Sequence, residues 1–134
     1  MLKYLLDTNI VIYVLKRRPI HVMDRFNENA QRIAISSITL AELYYGAEKS
    51  QRVSQNLEAI EEFTSLLSVI NYDADSSRHY GEIKAILESR GEIIGVNDIH
   101  IAAHARSRGL VVVSNNLREF ERVPYLQTEN WATG

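Results

Sequence analysis

Cysteine is absent from the 134 residues. Disulfides and thiolate metal sites are thereby excluded, any bound metal must be held by oxygen or imidazole, and nothing calls for an oxidising compartment. Proline is scarce, with two residues, and glycine little commoner, with six, so the composition is not that of a fibrous or disordered chain. No glycine-rich phosphate loop, serine nucleophile elbow, internal repeat or low-complexity segment interrupts it. Charge of one sign is lacking too: 15 Lys and Arg against 17 Asp and Glu leave a net charge of −2, which does not advertise nucleic-acid binding. The apolar start from Met1 to Leu15 has the look of a secretory signal, but Asp7 and Asn9 break it and no small-residue cleavage site follows. The expectation is one domain over 1–134, cytoplasmic and without a membrane partner.

What is present is an alternation of short apolar strands with helical patterns. Lys3 to Leu6 is a strand that ends abruptly in Asp7, Thr8 and Asn9, three residues that suit a helix cap. Ile10 to Lys16 follows as a helix, and Pro19 restarts the chain into a second short helix over Ile20 to Asn29. Ile33 to Ser36 reads as a fully covered strand, and Thr39 to Lys49 as a helix opened by the capping-box pattern Thr39 to Glu42. Val53, Leu57, Ile60, Phe63 and Leu67 recur at the spacing of an amphipathic helix. Ser68 to Tyr72 is a further strand, Asp75 to Arg90 a helix stopped by Gly91, and Asp98 to Arg108 a helix preceded by an Asn97 cap and closed by Gly109. Leu110 to Val113 is the most strand-like stretch, with a short helix over Leu117 to Arg122 and an edge strand near Leu126 to Glu129 beyond it. The pattern predicts an α/β sandwich on a central, mostly parallel sheet of four to five strands, in which function gathers at the carboxyl ends of the strands.

Three carboxylates stand out, each with a purely structural alternative. At about 100° per residue, Ile101, Ala102 and Ala105 fall within roughly 60° of Asp98, which sets its carboxylate on the apolar face of its helix. A first-turn acid favoured by the helix dipole explains the same residue. Glu42 is either the far end of the capping box or a functional acid beside Gly46, where another backbone or a substrate can approach. Asp7 is either a helix cap or a ligand. One sheet edge would gather all three, and carboxylates so crowded repel unless a hard divalent cation, Mg²⁺ or Mn²⁺, sits among them. His100 and His104 have the i, i+4 spacing of zinc helices, but Ile101 stands where the metalloprotease acid belongs, and both project away from Asp98. They read as structural. Trp131 and the tyrosines read as core or interface residues, with Tyr44 and Tyr45 either packed or a dimer contact. The basic clusters Lys16 to Arg18, Arg90, Arg106 to Arg108 and Arg118 to Arg122 lie in or beside loops and helix ends and, each taken alone, read as a solvated basic rim.

Four segments in this order resemble the PIN-domain ribonuclease family: Leu6 to Asn9; Ser37 to Leu43 with Gly46; Gly95 to Asp98 with Ile101 and Ala102; and Val113 to Asn116 with Glu119 and Phe120. Within that family the likeness is to the VapC toxins of toxin-antitoxin pairs, the enteric type above all. The resemblance implies a PIN-like α/β/α fold and a Mg²⁺- or Mn²⁺-dependent endoribonuclease with Asp7, Glu42 and Asp98 as catalytic, metal-binding acids. It further implies a homodimer, a VapB-type antitoxin whose tail enters the acidic pocket, and structured RNA as substrate, the anticodon loop of initiator tRNA in the enteric type. Many relatives carry an aspartate after the last core strand where this chain has Asn116, so either a second metal is held weakly there, with the amide orienting its water, or Glu119 takes that role. Thr8 matches the family's hydroxyl beside the first acid, a contact for water or phosphate. Two readings from other classes stand beside this one: a non-catalytic RNA- or partner-binding module, and an α/β domain for a small phosphorylated ligand.

Overall fold

The computed structural model describes residues 1–133. Strand β1 (Tyr4–Leu6) is buried along its whole length, as a strand covered by helices on both faces must be. It is followed by α1 (Thr8–Lys16) and α2 (Ile20–Glu28), then by β2 (Ile33–Ser36), α3 (Ser37–Lys49) and α4 (Val53–Thr64). Strand β3 (Ser68–Ile70), helices α5 (Ala74–Ser89) and α6 (Val96–Arg108), strand β4 (Val111–Val113), the short α7 (Leu117–Phe120) and β5 (Thr128–Glu129) complete the chain.

The five strands lie in the order β3-β2-β1-β4-β5, and every described pair is parallel. The sheet is therefore more uniform than the mostly parallel one expected, because each return runs through at least one helix or, for β5, through α7 and a loop. One core lies beneath α1 to α4 and holds Leu6, Ile10, Ile35, Phe63 and Trp131; the other lies beneath α5 and α6 and holds Leu5, Ile83, Leu87, Ile99 and Val112. Alternating residues of β1 thus serve opposite cores, the period-two rule of a strand.

Several expectations are corrected at helix starts. Helix α3 begins at Ser37, with Ser36 as its cap through a bond from the Ile38 N–H at 3.1 Å. Glu42 therefore lies well inside the helix and takes no part in a capping box. Helix α6 begins at Val96 after Gly95, so Asn97 is a first-turn residue rather than the cap. Leu67 lies beyond α4 but still packs on the first core. Arg106 is not a rim residue, since its side chain is 8% exposed and is held by Glu82 at 2.7 Å and by His79 at 2.9 Å. Tyr125 is neither core nor packed, being 94% exposed.

The two helical histidines are structural. His104 is fully buried, and its Nδ1 meets the Ser36 hydroxyl at 2.7 Å, tying α6 to the end of β2. Its Nε2 faces the Asn71 backbone without completing a hydrogen bond, and burial holds the imidazole below the ordinary histidine range. His100 stacks on Tyr80 with ring centroids 4.1 Å apart and meets the Tyr72 hydroxyl at 2.8 Å. Among the described residues, no helix is long and apolar enough to cross a membrane.

Trp131 closes the first core from the last strand. Its ring meets Tyr4 edge-on at 5.1 Å, its indole N–H donates to Glu129 at 3.0 Å, and Arg25 lies over its face at 5.4 Å. Trp131→Ala is expected to cost about 3–5 kcal/mol of unfolding free energy, measured by urea denaturation.

Candidate active site at the carboxyl edge of the sheet

Asp7 leaves β1 at the centre of the sheet and caps α1, its Oδ1 accepting the Ile10 N–H at 2.9 Å. The β1–β4 register sets Leu6 beside Val113 and so brings the next residue of each strand together. Accordingly, the Ser114 hydroxyl donates to the other oxygen of Asp7, Oδ2, at 2.5 Å. The same serine oxygen accepts the Asn116 N–H at 2.8 Å. Asp7 is only 4% exposed. Burial pushes its carboxyl upward, the Ser114 and Ile10 donors pull it back, and the Glu42 charge adds to the rise. Cap and candidate ligand are thus the same residue, because a carboxylate has lone pairs enough for both.

Glu42 approaches from α3. Its Oε1 accepts the Thr8 hydroxyl at 2.7 Å, and Thr8 in turn lies 3.5 Å from the buried Thr39 hydroxyl. Asp98 enters from the first turn of α6 and is half-buried. A Cβ placed on Gly95 would stand 3.6 Å from its Oδ2, an ordinary contact that a small side chain would survive. Glu119, on α7, comes within hydrogen-bonding range of Asp98, an approach of two carboxyl groups that needs a proton between them. Burial first, then the Glu119 contact, then the charges of Asp7 and Glu42 push Asp98 up to about 7.

The fold therefore brings Asp7, Glu42, Asp98 and Glu119 into one electrostatic cluster, with Thr8 inside it. Asn116 reaches it through its backbone N–H. Ser114 joins the cluster as the donor that fixes Asp7. The only sequence signal for it was its position one residue past a strand paired with β1. A shallow cleft beside the cluster is lined by Ile38, Ala41, Glu42 and the 65%-exposed Tyr45. Tyr44 is 40% exposed, so neither tyrosine is packed in the core of this chain.

The donor set is all oxygen and all hard, as Mg²⁺ and Mn²⁺ require, and the mutual repulsion that raises Asp98 is what a divalent ion relieves. Among the described residues, no three acidic or imidazole groups already form a metal cage. Glu42 is engaged by the Thr8 hydroxyl and Asp98 lies against Glu119, two contacts with which a cation would compete.

A partly buried acid cluster at the carboxyl edge of a parallel α/β/α sheet lies where such folds place their functional sites. Residues 4–125 match the family model described as PIN domain. Ribonuclease VapC2 of Haemophilus influenzae is 62% identical over 131 residues, covering 98% of this chain and 99% of that one. The tRNA(fMet)-specific endonuclease VapC of Shigella flexneri is 53% identical over 132 residues, covering 98% and 100%. Among solved structures, the DNA-bound VapBC of Salmonella typhimurium superposes with a TM-score of 0.93 at 53% identity, covering 98% of this chain and 99% of its counterpart. The chain belongs to the PIN domain family and, within it, to the VapC ribonucleases.

The crowding of charge has a thermodynamic signature. Asp98 titrates near 7 in the fold and at an ordinary aspartate value when unfolded, so the native state holds an extra proton between the two. Its contribution is neutral below the ordinary aspartate range, turns destabilising as pH rises above that range, and reaches its full cost once pH passes about 7. In EDTA, raising the pH from about 5 to about 8 should lower the stability of the wild type relative to Asp98→Asn. Denaturant curves for both proteins at both pH values measure this, and parallel pH profiles would mean that the carboxylates do not interact.

Proposed function

We propose that the protein is a Mg²⁺- or Mn²⁺-dependent endoribonuclease, the toxin of a toxin-antitoxin pair, which cleaves structured RNA at the anticodon loop of initiator tRNA. The observation that carries the chemistry is the convergence of Asp7, Glu42, Asp98 and Glu119 on one sheet edge, with Asp98 raised first by burial and then by its acidic neighbours. The substrate is carried by the 53%-identical endonuclease named for tRNA(fMet). Such a substrate places the action in the cytoplasm, and residues 1–134 act as one domain.

In this reading Asp7, Glu42 and Asp98 hold the cation, and Glu119 supplies the acid that Asn116 does not. A bound divalent ion supplies Lewis acidity, making water a better nucleophile at neutral pH and neutralising charge on a phosphoryl oxygen. The protein contributes position. Ser114 and the Ile10 N–H fix both oxygens of Asp7, and Thr8 sets the direction of Glu42 until it contacts water or phosphate. Asn116, whose backbone N–H supports Ser114, orients water with its amide. Attack of water on phosphorus breaks the bond to the 3′ oxygen and leaves 5′-phosphate and 3′-hydroxyl ends.

The partner is an antitoxin of the VapB type, as the VapBC complexes among the solved relatives support. A groove of about 360 Å³ between α1, α3 and α4, lined by Ile12, Leu15, Leu43, Gly46, Ala47 and Ile60, leads to Thr8 and Glu42. Its apolar walls suit the face of an amphipathic helix whose tail continues into the acids. The protein acts as a homodimer, and the exposed Tyr44 and Tyr45 face of α3 offers apolar surface for that contact.

The reaction is tested by incubating the protein with total tRNA and Mg²⁺, with EDTA, and as Asp7→Asn, then mapping the ends. Cleavage is expected only in the first case, with a loss of about 10²-fold or more in the others. Cleavage that survives EDTA or the substitution would refute the metal mechanism, and binding without cleavage throughout would mark a recognition module.

The groove is tested at Gly46, where an added Cβ meets nothing within 4 Å. Gly46→Leu should keep or raise thermal stability, since leucine is the better helix former by somewhat less than the ~0.8–1 kcal/mol that separates glycine from alanine. It should nevertheless weaken antitoxin binding about tenfold or more, as read by calorimetric titration.

A further inference from the structure

Of the four basic clusters, two are at least partly engaged within the molecule. Arg106 is bound to Glu82 and His79, and Arg122 donates to the Ile93 carbonyl at 3.1 Å. The turn after α1 differs. Arg17 adopts a left-handed conformation at φ 57° that ends the helix, and the Arg18 N–H folds back to the Tyr13 carbonyl at 3.1 Å. Lys16 and Arg18 consequently flank Tyr13 and line one open cleft of about 440 Å³ with Pro19 and Ala132. Both cations are exposed, and among the described residues neither forms an ion pair.

The cleft is joined to the catalytic edge by covalent and hydrogen-bonded steps. Ser114 donates to Asp7, the next residue is Asn115, and its amide donates to the Tyr13 hydroxyl at 2.7 Å. An exposed amide and a half-buried phenol thus link the acid cluster to the cleft of the two unpaired cations. An RNA strand drawn to the acids would carry its flanking phosphates across this bridge, where unpaired cations gain most from an anion.

We infer that the Tyr13, Lys16 and Arg18 cleft is a subsite for a backbone phosphate of the RNA, next to the one that is cut. This rests on the ribonuclease reading above. The subsite binds phosphate whatever the base, so it contributes affinity and register rather than sequence choice. Lys16 also borders the apolar groove, so it is the side chain at which the RNA path and that groove meet.

The test uses full-length protein in three forms, Lys16→Gln, Arg18→Gln and the double variant, with Lys84→Gln on the far helix α5 as control. Steady-state cleavage of tRNA is followed first. KM should rise about 5- to 10-fold for each single variant, and the control should match wild type. Binding is then measured by fluorescence anisotropy in an Asp7→Asn background, with a labelled stem-loop and an unrelated loop sequence over a range of salt. Both RNAs should weaken equally, and the slope of log K against log salt should fall by about 0.7–1 per cation removed. Unchanged KM and slope in a wild type that cleaves would overturn the subsite alone. An altered antitoxin affinity with unchanged RNA slope would reassign the cleft to a protein partner and also overturn it. A wild type that neither binds nor cleaves RNA overturns the ribonuclease reading and this inference with it.

Discussion

Holding a buried carboxylate at the middle of the sheet is the constraint on which the arrangement depends. Asp7 is almost wholly removed from water, a position that costs several kcal/mol for an ionised group unless donors replace the lost hydration. Two do so from different parts of the chain: the Ile10 N–H from the helix that Asp7 itself caps, and the Ser114 hydroxyl from the neighbouring strand end. The first donor comes with any capped helix. The second exists only when β1 and β4 pair in the observed register, Leu6 beside Val113. A one-residue slip would remove Ser114 from Asp7 and also turn Leu5 and Leu6 to the wrong cores. Sheet register and site geometry are therefore fixed by the same pairing.

Strand order carries this outward. With β1 in the middle, the returns to β2 and to β4 lie on opposite faces of the sheet, and the acids reach the shared edge from both sides. Glu42 comes from α3 on the first core, and Asp98 from α6 on the second. Helix α6 is buried at Ile99, Ile101, Ala102, Ala103, His104 and Ala105, so its one acidic residue stands in the first turn, where free N–H groups and the helix dipole favour an anion, and its arginines stand in the last. The alanines allow α6 to pack closely on the sheet and on α5, which brings that first turn to the edge.

Much of this was legible from residue types. The strand Ile33 to Ser36 is found at the expected bounds, because four consecutive buried residues ending in a capping serine admit few alternatives. The inward direction of Asp98 followed from its spacing to Ile101 and Ala105, both buried. The start of α3 was misread because Ser36, Ser37 and Thr39 are all competent caps. Tertiary contacts decided among them: Ser36 meets His104, and the Ser37 hydroxyl takes the Tyr72 N–H at 3.0 Å. That choice strips Glu42 of its capping explanation and leaves the Thr8 contact in its place. Ser114 was not legible as a support for Asp7, since the bond joins residues 107 positions apart and a serine after a strand is unremarkable by itself. Arg106 was misjudged for the same reason, its partners lying on another helix.

The near-neutral charge of the chain now has a spatial meaning. A nuclease must attract a polyanion to a centre that is itself anionic, and mixing the two signs in one place would neutralise both. Here the acids gather at the sheet edge, where burial raises both Asp7 and Asp98. The cations Lys16 and Arg18 stand apart on an exposed turn, connected to the acids through Asn115 and Tyr13 rather than by direct ion pairs. Direct pairing of Lys16 with Glu42 across the apolar groove would quench an acid and a phosphate contact together. The separation keeps each group available for its own ligand, and composition, which sums over both, cannot register it.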